Sequence, residues 1–211
     1  MSKPRAVFLD ALSLGPVDLA PLERHAELIC WPSTPPELSL ERLQGAAVAI
    51  TNKIRLDGEL LRQLPQLRLI CAASTGTDQI DGQACSELGI TVRNAGRYST
   101  ASVVQVTWAL ILELVCDLQT RRRQVLQGDW QRSQVFSLVE PEFNELAGCT
   151  LTVLGAGTIG RGVAAVASAF GMDVRLITSR SSAGELEIAL RQADVLSLHA
   201  PLTPATRGLI N

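Results

Sequence analysis

Lysine is almost missing from this sequence: Lys3 and Lys53 are the whole complement, and arginine carries nearly all of the positive charge. Neither sign dominates, because 19 basic and 21 acidic residues leave a formal charge of −2. A chain so balanced has no global field with which to collect nucleic acid or an anionic membrane surface, and neither is expected as a partner. The lone basic run, Arg121-Arg122-Arg123, reads as a solvated helix end. Aromatic residues make up only 4% of the chain, which argues against an aromatic-rich β-sandwich and for aliphatic layers of helix on sheet. No apolar run approaches the ~20 residues of a membrane span, and the opening MSKPRAVFLD has no apolar stretch long enough for a signal peptide. Cys30, Cys71, Cys85, Cys116 and Cys149 form an odd set without a C-x-x-C pair. That excludes a disulfide framework and a zinc site, and leaves buried thiols in a reducing, cytoplasmic compartment. No metal site is expected.

What is present is regular. The 211 residues leave room for two small domains. Short apolar runs at Ala6–Leu9, Glu27–Cys30, Ala46–Ile50, Leu67–Cys71 and Ile90–Arg93 read as strands. Helical spacing falls between them at Pro36–Leu43, Asp57–Leu64 and Asp81–Leu88. Such alternation with short connections predicts a parallel sheet covered on both faces, an α/β domain over residues 1–98. Ala101, Val104, Trp108, Ile111, Val115 and Leu118 then mark one long helix with an apolar stripe, with Ser99 or Thr100 as its cap. Residues 128–150 have no sustained period and read as a surface connection. A second α/β block follows, with strands at Leu151–Leu154, Asp173–Ile177 and Val195–Leu198 and helices at Thr158–Phe170 and Ala183–Gln192. Together with the long helix it makes up residues 99–211.

Within that block Leu151-Thr-Val-Leu-Gly155-Ala-Gly157-Thr-Ile-Gly160 is a strand running into G-x-G-x-x-G and then a helix. The first glycine permits a tight turn, the second lets backbone approach a pyrophosphate, and the third lets helix and strand pack closely. The helix start then offers free N–H groups to phosphate. A lone motif of this kind is weak, but the strand before it, the apolar-faced helix after it and the strand about 20 residues on supply the context it requires. The second strand ends in Leu176-Ile177-Thr178-Ser179-Arg180-Ser181-Ser182. An NAD site usually carries an acidic residue there for the ribose 2′-hydroxyl. Hydroxyls and Arg180 suit a 2′-phosphate instead, so NADP is preferred over NAD as the cofactor.

With these segments in view the chain resembles the D-isomer-specific 2-hydroxyacid dehydrogenases, and most closely their glycerate dehydrogenase and hydroxypyruvate reductase branch. The segments carrying the resemblance, in order, are Ala73-Ser-Thr-Gly76-Thr-Asp-Gln-Ile-Asp81, Asn94-Ala-Gly-Arg-Tyr98-Ser-Thr-Ala-Ser-Val103, Leu146-Ala-Gly148, the glycine loop, and Ser197-Leu-His199-Ala-Pro201-Leu-Thr203 with Thr206. The resemblance implies a flavodoxin-like substrate domain followed by a partial Rossmann dinucleotide-binding domain. It implies an oxidoreductase moving a hydride between NAD(P)H and a small 2-keto or 2-hydroxy acid of the hydroxypyruvate, glyoxylate or glycerate type. It implies that backbone groups of Ser74, Thr75 and Gly76 hold the substrate carboxylate and that Thr158 and Ile159 lie over the pyrophosphate. Thr178 matches the usual acidic position, and Ala200, Pro201 and Thr206 border the ribose and nicotinamide. A homodimer through the second domain and the long helix is implied as well. Where many members read Ala-Glu-His on that helix, this chain has Val104-Gln105-Val106.

His199 closes a strand, where an imidazole bonded to backbone is expected, and His25 is expected at the surface. The resemblance places the carbonyl-binding Arg and the Glu–His proton-transfer pair beyond the region matching Asn211. No catalytic residue is therefore expected in this chain, which alone is expected to be inactive. A non-catalytic, dinucleotide-sensing binding module of the same fold is the alternative.

Overall fold

The computed structural model describes residues 3–142 and 144–210. The expectations that touch Met1, Ser2, Phe143 and Asn211 lie outside the described residues. The chain divides into two compact units, Met1–Tyr98 and Ser99–Asn211.

The first unit is built on five parallel strands: β1 (Arg5–Phe8), β2 (Glu27–Cys30), β3 (Val48–Thr51), β4 (Leu69–Ala72) and β5 (Thr91–Asn94). Their spatial order is β2-β1-β3-β4-β5, the doubly wound order of flavodoxin-like sheets. Ala6 pairs with Leu28 on one side and Val48 on the other, and Val48 pairs with Leu69. Central strands are covered on both faces, which is why they read as unbroken apolar runs rather than as alternating ones. Val7, Leu43, Leu56, Leu61 and Ile70 are sealed in the core. The helices between the strands are short: α1 (Ala20–Glu23), α2 (Ser39–Leu43, entered through a 3-10 turn at Pro36–Leu38), α3 (Gly58–Arg62) and α4 (Gly82–Glu87). Asp57 caps α3 by accepting from the Leu60 N–H at 3.0 Å, and Asp81 caps α4 by accepting from the Ala84 N–H at 2.9 Å. The helix α1 and a 3-10 turn at Ala11–Leu14 have no apolar period and were not expected.

The second unit opens with α5 (Thr100–Cys116), α6 (Leu118–Leu126) and α7 (Asp129–Arg132). The expected single helix reaching Leu118 is broken at Asp117. That residue adopts φ 45°, ψ 54° and accepts from the Thr120 N–H, closing one helix and capping the next. The arginine triplet therefore lies inside α6 rather than at a helix end. The Arg121 guanidinium donates to the carbonyls of Leu138, Glu140 and Pro141, pinning the connection beyond α7.

Then come β6 (Thr150–Leu154), α8 (Thr158–Ala169), β7 (Asp173–Ile177), α9 (Ala183–Arg191) and β8 (Val195–Leu198). The sheet is parallel with order β7-β6-β8, so β6 sits in the middle and its residues Leu151–Leu154 are buried. The buried face of α5 packs on α8. Trp108 donates its indole N–H to the Val163 carbonyl at 3.2 Å and stacks on Phe170 with ring centroids 5.0 Å apart. A Cβ on Gly162 would lie 2.7 Å from Val104 Cγ2, so the close approach of the two helices depends on that glycine. No single helix among the described residues is long and apolar enough to cross a membrane.

The cysteines correct the expectation of buried thiols. Cys85 is buried, but Cys30 is exposed and Cys71, Cys116 and Cys149 are half-buried. Cys30 lies on β2, an edge strand of the first sheet, where one flank has no neighbour to cover it. Burial pushes the Cys71 and Cys85 thiols up from their ordinary range, Asp81 adding to the effect at Cys85, which leaves them protonated and poorly nucleophilic.

Candidate functional site

Parallel α/β sheets bind ligands outside the carboxyl ends of their strands. In the second unit those ends surround a cleft of about 810 Å³, within the range of cofactor pockets. Its floor is the turn after β6. Gly155 adopts φ +103°, and a Cβ there would lie 2.6 Å from the Ala200 nitrogen and the His199 carbonyl carbon. The chain after β8 thus crosses directly over a residue that must lack a side chain. A Cβ on Gly160 would lie 2.0 Å from the Gly155 carbonyl oxygen. Gly157 is the N-cap of α8, and nothing lies within 4 Å of its Cβ position. Two glycines are therefore locked by protein and the third faces open space, a cradle shaped to admit a bulky group against bare backbone.

The β7 end supplies the adjoining wall. Thr178, Ser179 and Arg180 are exposed and line the cleft. The Thr178 N–H donates to Ser181 Oγ at 3.2 Å, and the Arg180 N–H donates to Thr178 Oγ1 at 3.1 Å. Ser182 and Glu185 form a capping box on α9, and the backbone N–H of Ser182 holds the Glu185 carboxyl below its ordinary range. The third wall follows β8, where Thr206 Oγ1 donates to the Pro201 carbonyl at 2.6 Å and folds Ala200–Thr206 back on itself. Among the described residues the lining contains two arginines, a histidine, hydroxyls and apolar carbon, but no carboxylate.

The sequence-predicted residues sort as follows. Gly155, Gly157, Thr178, Ser179, Arg180, Ala200, Pro201 and Thr206 come together around the cleft, with Gly160 beneath it. Thr158 and Ile159 do not line it: Thr158 is exposed on the first turn of α8, and the Ile159 side chain packs against the apolar core of the unit. Arg161, which sequence reasoning passed over, does line it. The available signal was its place directly after the third glycine, as the one charged residue of α8.

His199 also lines the cleft, but its ring is not tied to backbone. Nε2 lies 2.8 Å from Ser197 Oγ, a side chain brought alongside because residues two apart share a face of the strand. Burial holds the imidazole below its ordinary pKa and so favours the neutral ring. His25 is exposed.

Ser74, Thr75 and Gly76 lie in the first unit, beyond the end of β4. Ser74 Oγ donates to the Gly76 carbonyl at 2.8 Å, and Thr75 Oγ1 donates to the Gly96 carbonyl at 2.9 Å. Asn94 Nδ2 donates to the Thr75 carbonyl at 2.7 Å. The loop is held by its carbonyls and hydroxyls, while no acceptor among the described residues takes the amides of Ser74 and Gly76. Such a turn presents N–H groups to an anion. Gln79 braces it from behind, its Nε2 donating to Ser74 Oγ and to the Asn52 carbonyl. No group of three or more His, Cys, Asp or Glu side chains among the described residues is placed to hold a metal ion.

Comparison with known proteins agrees with this architecture. The family model for the D-isomer specific 2-hydroxyacid dehydrogenase catalytic domain matches residues 6–197. A glycerate dehydrogenase of Methylorubrum extorquens is 38% identical over 177 residues, covering 83% of this chain and 56% of that protein. A hydroxypyruvate reductase of Blautia hydrogenotrophica is 31% identical over 221 residues, covering 98% and 69%. The crystal structure of D-lactate dehydrogenase from Aquifex aeolicus, complexed with NAD and lactic acid, superposes with a TM-score of 0.80 at 30% identity, covering 96% of this chain and 62% of that one. The chain thus spans less than two thirds of two of these three proteins.

Proposed function

The chain belongs to the D-isomer specific 2-hydroxyacid dehydrogenase family, and from that premise we propose that it carries the cofactor and carboxylate elements of an enzyme interconverting a small 2-keto acid and its 2-hydroxy acid. The observation that carries the reading is the carboxylate-free cleft at the ends of β6, β7 and β8, floored by glycines that have no room for a side chain. It fits a dinucleotide. The bound nicotinamide supplies or takes the hydride. The chain's own residues do the rest of what is assigned to it: Gly155 and Gly157 let backbone meet the pyrophosphate, and Ala200, Pro201 and Thr206 border the ribose and nicotinamide side. The amides of Ser74–Gly76 orient the substrate carboxylate. Hydroxypyruvate, glyoxylate and glycerate are the substrates to try first, given the relatives named above. The free thiols suit a cytoplasmic setting. The exposed Leu110 and Leu114 of α5, 60% and 83% accessible, suit a homodimer contact.

The cofactor is NADPH rather than NADH. Thr178, Ser179 and Arg180 offer donors and positive charge to a 2′-phosphate where an acidic side chain would repel it. Charge-assisted contacts contribute about 1.5–3 kcal/mol, so the preference reaches about tenfold or more. Arg180→Ala is expected to weaken NADPH binding and leave NADH nearly unchanged in fluorescence titrations. Equal losses for the two cofactors, or a wild type that prefers NADH, would sink the assignment.

The carboxylate loop has its own test. A Cβ on Gly76 would lie 3.0 Å from Asp78 Oδ1, and a branched side chain crowds the turn further. In the whole protein Gly76→Val is expected to raise the KM for the keto acid while dinucleotide affinity holds, because the altered turn belongs to the other unit. Parallel losses of both would mean global damage and remove Ser74–Gly76 from the site.

No proton-transfer role is assigned within this chain, and it alone is expected to turn over no substrate. Neither histidine is assigned the role, His25 being exposed and the Nε2 of His199 being taken up by Ser197 Oγ at 2.8 Å. That observation also suits a dinucleotide-sensing module, and assaying hydroxypyruvate reduction by the whole protein separates the two.

A further inference from the structure

We propose that Arg161 is the cation that reads the dinucleotide's pyrophosphate, independently of Arg180, which reads the ribose end. The inference rests on the cleft being a dinucleotide site. A pyrophosphate over the glycine loop brings its negative charge to the start of α8, where backbone amides and the helix end are attractive but carry only partial charge. The side chains before Arg161 add no charge there. Thr158 is neutral, the Ile159 side chain is spent on the core, and Gly160 has none.

Arg161 follows on the first turn. Its own N–H bonds to the Gly157 carbonyl at 3.0 Å, which fixes its backbone against the loop, and the residue lines the cleft. No ion pair or hydrogen bond among the described residues engages its guanidinium. With no carboxylate in the lining, nothing in the cleft competes for it. Arg180 enters from the end of β7 and belongs to a separate wall. The two guanidinium groups therefore divide one cleft into two anion subsites. A planar fork of donors is well matched to paired phosphate oxygens, and lysine would supply only a point charge. A guanidinium serving merely to solubilise α8 would leave ligand affinity indifferent to its removal.

Two probes separate the subsites. ADP-ribose has the pyrophosphate without a 2′-phosphate, and adenosine 2′-monophosphate has the 2′-phosphate without a pyrophosphate. Calorimetric titration of the full chain should show Arg161→Ala weakening ADP-ribose by about tenfold or more with adenosine 2′-monophosphate unchanged. Arg180→Ala should do the reverse. Arg161→Lys should keep part of the ADP-ribose affinity, and Arg161→Ala should flatten its dependence on salt. Far-UV circular dichroism checks that the variants are folded. Unchanged ADP-ribose affinity in Arg161→Ala overturns the inference and leaves the dinucleotide reading standing. An equal loss for both probes overturns it too, since the arginine would then be supporting the cleft as a whole. A wild-type chain that binds neither probe removes the dinucleotide reading and this assignment with it.

Discussion

Gly160→Ala is expected to lower dinucleotide affinity about a hundredfold and to lower the melting temperature of the chain. Alanine is the better helix former by about 1 kcal/mol, so on local propensity the change should help α8. The clash decides otherwise. The new methyl would sit 2.0 Å from the Gly155 carbonyl oxygen and 3.1 Å from Val153 Cγ1. The first of these is backbone and cannot swing aside. Either α8 lifts from β6 or the Gly155 turn is forced open, and overpacking of this kind costs about 1–3 kcal/mol. Either movement also disturbs the floor of the cleft, so binding falls further than stability. Titration with ADP-ribose beside a thermal melt reads both. An alanine variant that binds like the wild type would falsify the close-packing role of this glycine.

Asp10→Ala should be strongly destabilising to the first unit. Asp10 is 4% exposed and lies just past β1. Its carboxylate accepts from the Asn52 N–H at 2.9 and 3.2 Å and from the Lys53 N–H at 2.7 Å, tying the chain after β3 to the chain after β1. Removing it strands two amide donors, each costing about 1–3 kcal/mol when left without an acceptor. A loss of about 3 kcal/mol or more is expected in urea unfolding, and Asp10→Asn, which keeps one acceptor oxygen, should lose less. The damage should travel. The Asn52 carbonyl receives Gln79 Nε2, which also reaches Ser74 Oγ, so the Ser74–Gly76 loop loses its brace. A wild-type unfolding midpoint for Asp10→Ala would show that water or a rearranged turn satisfies those amides.

Much of this was legible in the chain because the constraints are local. The glycine motif could be read since Gly155 and Gly160 answer close approaches of backbone that no side chain could share, and the spacing of the motif carried Gly157 with them. Strands such as β1 and β6 announced themselves as apolar runs, with their ends displaced by a residue or two where turn residues blur the edge. The helical spacing at Asp57–Leu64 and Asp81–Leu88 placed α3 and α4, while the capping bonds of Asp57 and Asp81 came from the structure. What escaped depends on neighbours distant in sequence. Cys30 reads as buried until β2 proves to be an edge strand. The break at Asp117 is invisible to apolar periodicity, because an aspartate tolerates the left-handed region without any change in the stripe around it. Arg161 carries no sign in the sequence of which way its guanidinium points. The bonds of Asp10 join residues 42 and 43 positions apart, a pairing that only the sheet order creates.

The separation between floor and wall in the second unit has an evolutionary consequence. Gly155 and Gly160 are hemmed in by backbone, so nearly every substitution there is visible to selection as lost folding. Thr178, Ser179 and Arg180 are exposed, and among the described residues their hydrogen bonds run to one another and to Ser181. Drift can rewrite that short segment at little structural penalty. A lineage of this architecture is therefore free to exchange one nicotinamide cofactor for another through a few point changes, while its glycine turn is held by a clash that no single substitution there relieves.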